Sequence, residues 1–161
     1  MNGPARAGLM QAVTLLLAGV ALGAFAGIWA LFDGDGPEGI AHTAARPYIA
    51  LVVVLPLVLI LLNFSPPNLD VFATLRDGTL LGAIAGGLGG LLGALGYFVP
   101  ATNIPAILGG ESVVDISDAL RGEVGLARFL VVVIVTLAIG VAVGAFTHHR
   151  VTVYRATRDG A

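Results

Sequence analysis

Four stretches of this 161-residue chain run without a charge for roughly the thickness of a bilayer: 8–32, 48–64, 78–99 and 129–147. A helix rises about 1.5 Å per residue and the hydrocarbon is about 30 Å thick, so about 20 residues make a crossing. The second stretch is the shortest. Lipid offers no partner to an open strand edge, so the runs predict helices. The expected fold is all-α: one domain over 1–161, an integral membrane four-helix bundle.

Composition supports this. The chain is 57% hydrophobic and 11% charged, where soluble domains carry about 25% charge. A small soluble fold could not hide that much apolar surface. With no cysteine, a disulfide scaffold and a thiolate site are excluded. All eight basic residues are arginine and the net charge is −2, which argues against nucleic acid as a partner. The first run contains Ala24-Phe25-Ala26, which resembles a signal-peptide cleavage site. The run is too long for a signal core, and its pattern continues past the cut, so a retained helix is expected.

Charge between the runs sets orientation. With both termini in the cytoplasm, Arg6, Arg76, Arg150, Arg155 and Arg158 lie inside, and Arg46, Arg121 and Arg128 outside. That follows the positive-inside rule. The acids fall mostly outside: Asp33, Asp35, Glu38, Glu111, Asp115, Asp118 and Glu123, against Asp70, Asp77 and Asp159 within. The expectation is a multi-pass protein of the cell membrane with both termini cytoplasmic. Arg150, Arg155 and Arg158 would anchor the last helix at the membrane surface, since anionic headgroups attract such segments.

Glycine spacing is the second signal. Gly78, Gly82, Gly86 and Gly90 recur every four residues, as do Gly19, Gly23 and Gly27 in the first run. Thr136, Gly140 and Gly144 repeat the spacing in the fourth, and Ala85, Gly89 and Gly93 form a second small row in the third. Residues four apart share a helix face, and small ones let two backbones approach closely. Such glycine-zipper seams serve either self-association or partner packing, or internal packing of the four helices. The second run is bulky aliphatic with Pro56 at its middle, which suits lipid contact. The first, third and fourth helices are therefore expected at the tight centre.

Chemistry is harder to find. No Asp, Glu, Arg or His lies within the runs, and intramembrane charges are the usual mark of ion pathways. Gln11, Asn63, Thr79 and Thr147 sit near helix ends, where headgroups would satisfy them. Thr14 and Thr136 would bond back to their own helix. His148 and His149 are adjacent and so diverge by about 100° on a helix, while His42 belongs to an outer loop. That geometry supplies no bis-histidine haem site. The chain carries no metalloprotease, nucleophile-elbow or phosphate-loop motif. No catalytic, metal or cofactor-binding residue is assigned, and no cofactor is expected.

Asp33 to Glu38 is an acidic turn, too short for a calcium loop. The loop 100–126 opens extended or turning at Pro100 and carries a short interfacial helix from Asp115, over the outer mouth of the bundle. A short helix over 69–76, parallel to the membrane, could dock a cytoplasmic partner.

These readings converge on a small non-enzymatic subunit, embedded in the lipid bilayer, that self-associates or joins other membrane subunits. The alternative is a transport component, either a channel-forming oligomer or a permease-like subunit. The topology predicts that a periplasmic reporter fused at Ala161 is inactive and a cytoplasmic one active. An active periplasmic reporter there would reverse the assignment.

Overall fold

The computed structural model describes residues 3–32, 37–63, 74–108 and 125–159. All of its regular structure is helical: α1 (Gly3–Phe32), α2 (Pro37–Leu62), α3 (Leu75–Ala83), a π turn (Ile84–Leu88), α4 (Gly89–Leu108) and α5 (Gly125–Asp159). Three helical stretches are long and apolar enough to cross a membrane: Gly3–Trp29, Leu75–Ile104 and Phe129–Thr157. That is the pattern of a membrane protein. The second expected crossing appears as a shorter apolar stretch, Ala50–Leu62.

The helices extend beyond the uncharged spans 8–32, 48–64, 78–99 and 129–147 for local reasons. Loss of hydrophobicity marks where a membrane core ends, not where backbone bonding stops. So α1 starts at Gly3, α2 at Pro37, and α5 runs on through the arginine tail to Asp159. Thr74 caps α3, accepting from the Asp77 backbone N–H at 3.1 Å and donating its hydroxyl to the Asp77 carboxylate at 2.7 Å. Leu75, Arg76 and Asp77 thus form the first turn of α3 rather than the end of a separate surface helix; the rest of that expected helix, 69–73, lies outside the described residues.

At the other end, α4 continues through Pro100 and Pro105 to Leu108, where the sequence suggested an extended loop. Each proline lacks the N–H that would close a helical bond. Nearby, the Thr102 hydroxyl donates to the Phe98 carbonyl at 2.7 Å, and the Asn103 amide donates to the Val99 carbonyl at 3.0 Å. These bonds reinforce the turn around Pro100, although the carbonyl that Pro100 itself leaves without its i−4 partner is that of Gly96. The expected interfacial helix from Asp115 and the acidic turn at 33–36 lie outside the described residues.

The segment 75–108 is the centre of the bundle. A Cβ added at Gly78 would lie 2.6 Å from the Gly144 carbonyl oxygen, and one at Gly82 would lie 2.7 Å from the Gly140 carbonyl carbon. One at Gly86 would meet the Thr136 carbonyl. Numbers rise on one helix as they fall on the other, so α3 and α5 are antiparallel. On another side, a Cβ at Gly19 would lie 2.9 Å from Gly93 Cα, and one at Gly23 would lie 2.8 Å from Tyr97 Cα. Here the numbers rise together, so α1 and α4 are parallel. No described Cα of α1 comes within 8 Å of α5, and the two therefore flank the central helix on different sides.

The π turn sits between these two contacts. On a 3.6-residue helix an every-fourth-residue row drifts by about 40° per step. A π turn holds an extra residue, which swings the row back. Gly78, Gly82, Gly86 and Gly90 thereby stay turned toward α5, with Gly90 against Thr136 and Val133.

Helix α2 is not confined to the lipid side. Leu51, Leu55 and Leu59 are buried in the main core, beside Leu15, Ala94, Tyr97, Phe98, Phe129 and Val132. Among the described residues of α2, Val53, Leu57, Ile60 and Leu61 on the opposite face are exposed. A bulky side chain needs a hollow to fill, and glycine provides it: a Cβ at Gly93 would lie 2.9 Å from Leu55 Cδ1. The expectation for α2 came from its lack of small residues, when the small residue lay on its partner.

Replacing Gly82 by alanine should cost about 1–3 kcal/mol by forcing two backbones apart, whereas Gly3→Ala, which meets nothing within 4 Å, should leave stability unchanged. Unfolding in mild detergent, followed by circular dichroism, compares the two.

Candidate functional site

Polar groups inside an apolar bundle are where function would show, because each needs a partner. Two expected near-surface polar residues find one another. Gln11 Nε2 donates to Asn63 Oδ1 at 3.2 Å, and Asn63 Nδ2 donates to Gln11 Oε1 at 3.2 Å. Asn63 Nδ2 also donates to the Leu59 carbonyl at 2.8 Å. Asn63 is buried and Gln11 half-buried. This reciprocal amide pair ties the early part of α1 to the residue just past the end of α2, 52 residues apart in sequence. Headgroups are not needed to satisfy either residue.

The threonines bond locally. Thr14 donates to the Met10 carbonyl at 3.1 Å and Thr136 to the Val132 carbonyl at 2.7 Å, as their positions in the runs suggest. Thr79 and Thr147, expected to meet headgroups, do the same with Leu75 at 3.0 Å and Val143 at 2.8 Å. Back-bonding satisfies a hydroxyl without water. Thr136 is fully buried because its side chain stands over Gly90. Near one end of the core, Tyr97 and Phe98 pack edge to face at 5.3 Å, and Phe98 meets Phe129 at 6.4 Å.

The residues singled out in the sequence separate into two groups. Gly78, Gly82, Gly86 and Gly90 meet α5, where Gly140 and Gly144 face them. Gly19 and Gly23 meet α4, and Gly27 is buried further along α1. Arg150 is exposed and Arg155 half-buried on the last turns of α5, which also contain Arg158. His148 is half-buried beside Gly78, and His149 is exposed. Among the described residues, no three His, Cys, Asp or Glu side chains gather as a metal site would require.

Sequence reasoning missed the amide pair and the π turn. The pair was findable in principle, since one amide near the start of one apolar run faced one near the end of the next. The π turn had a weaker signal, the Gly86-Gly87 doublet inside an otherwise regular row. The chain matches no protein-family model, no curated protein and no solved structure. Its function must be argued from its own geometry.

A double-mutant cycle on Gln11→Leu and Asn63→Leu should give a coupling of about 0.6–2 kcal/mol, the range for interhelical polar contacts in membranes. Additive effects in detergent unfolding would mean that the two amides do not depend on one another.

Proposed function

We propose that this chain is a non-enzymatic integral membrane subunit that works by packing, in a homo-oligomer or in a larger membrane complex. One observation carries the reading. The described interior is closed by backbone laid on backbone, with its buried threonines bonded to their own helices. Such an interior suits a rigid structural element.

The assembly contact has a different address from the one the glycine spacing suggests. The rows of α3, α4 and α5 meet partners in their own chain, and so do Gly19 and Gly23. A neighbouring subunit would therefore meet the outward faces, such as Leu130, Ile134 and Leu137 of α5 or Val13, Leu17 and Val20 of α1, all exposed. Both termini are assigned to the cytoplasm, because the arginine-rich end of the bundle is the end where α1 starts and α5 finishes.

Native mass spectrometry from mild detergent tests the proposal. A homo-oligomeric mass, or one including other subunits, is expected. A bare monomer that comes alone through gentle affinity capture would overturn it. Solute flux into liposomes carrying the purified chain would replace it with the transport reading.

A further inference from the structure

At one end of the bundle, three helices repeat the same two-residue arrangement. Arg6 of α1, Arg76 of α3 and Arg150 of α5 are all exposed. One helical turn closer to the middle of the bundle, each has an exposed large apolar residue: Met10 at 65%, Leu80 at 42% and Phe146 at 61%. Residues four apart lie on the same helix face. Each helix thus presents a cation with an apolar patch directly beneath it.

Register places the three arginines in one band. A Cβ at Gly8 would lie 2.9 Å from the Leu81 carbonyl oxygen and 3.0 Å from Ile84 Cβ, and a Cβ at Gly78 would lie 3.1 Å from His148 Cβ. Arg76 and Arg150 each stand two residues beyond the Gly78–His148 contact, toward the same end of the bundle, and so share one level. Arg6 stands two residues beyond Gly8, and at 1.5 Å per residue the whole band is about 10 Å deep. Two residues turn a helix by about 200°. Each arginine is therefore directed away from the helix that its neighbour two positions off packs against. A bilayer's headgroup layer is about 5–8 Å thick on each side, and arginine stems reach along apolar surface to keep the charge in that layer. Asp77 lies in the same band as a carboxylate that accepts from the Thr74 hydroxyl, so among the described residues the belt sets three arginines against one carboxylate.

A cation above an apolar patch, repeated around the bundle, is complementary to an amphiphile with an anionic head and acyl chains. We propose that Arg6, Arg76 and Arg150 form a belt that selects anionic phospholipids for the annulus at this end of the bundle, each arginine pairing with a lipid phosphate while Met10, Leu80 and Phe146 receive the chains. The proposal rests on the membrane-spanning reading. It is independent of whether the chain assembles with others.

The experiment uses the full chain in nanodiscs of equal phosphatidylcholine and phosphatidylglycerol. Detergent is stepped up, and the retained lipid is quantified by mass spectrometry. The wild type should retain phosphatidylglycerol preferentially. The preference should fall with rising salt, which screens surface charge over about 10 Å at 0.1 M. Each of Arg6→Gln, Arg76→Gln and Arg150→Gln should weaken it, by up to roughly five-fold per arginine, and the triple variant should approach parity. Met10→Ser, Leu80→Ser and Phe146→Ser should release both lipids more readily. Parity in the wild type overturns the proposal, as does an unchanged preference in the single variants, which keep most of the chain's helix ends intact. A chain that leaves membranes on alkaline carbonate extraction would instead overturn the membrane-spanning reading itself.

Discussion

Contact between bare backbones holds this bundle together. In lipid, apolar side chains gain nothing by leaving their surroundings for one another, so helices cohere through close packing and weak polar contacts. Gly82 and Gly140 place the carbonyl of each helix over the other's Cα, the arrangement in which Cα–H···O contacts form. The other elements are arranged around this constraint. The π turn keeps one row aligned with α5, the second small row is left for α1, and Leu55 of α2 fills the hollow at Gly93.

That division gives the central helix two different kinds of neighbour. Toward α5 the contact is glycine on glycine, along Gly78, Gly82 and Gly86. Toward α1 it is mixed: Gly19 and Gly23 lie on backbone, while Leu15 and Leu16 reach into Gly89 and Gly96. Both contacts bring backbone onto backbone equally closely, and the one toward α1 adds register through side-chain shape. The Gln11–Asn63 pair then fixes α2, which has no small row of its own, to the start of α1.

Much of this was legible in the residues, and what was not has physical causes. Uncharged length identified the helices, and the four-residue spacing identified faces suited to close packing. Spacing alone does not name the partner of a face, because a glycine row is equally complementary to its own chain and to another. The helices run past the uncharged spans wherever bonding outlasts hydrophobicity, as at Gly3 and along 148–159. The central helix also runs on through Pro100 and Pro105, where proline chemistry had suggested a loop. The burial of Leu51, Leu55 and Leu59 depended on hollows in other helices, which a reading of α2 by itself does not contain. For the candidate site, the sequence supplied polar residues near run ends but not the pairing of Gln11 with Asn63.

The parallel contact of α1 with α4 bears on the order of synthesis. Chains emerge N-terminal end first, so α1 enters the membrane long before Gly93 and Tyr97 exist to cover Gly19 and Gly23. The amide pair to α2 is available earlier, once residue 63 has been made. The newborn hairpin can thus be held by two hydrogen bonds while its glycine face lies against lipid tails. The central helix, arriving third, must then insert against a surface already waiting for it, and α5 completes the assembly by closing over the row that remains.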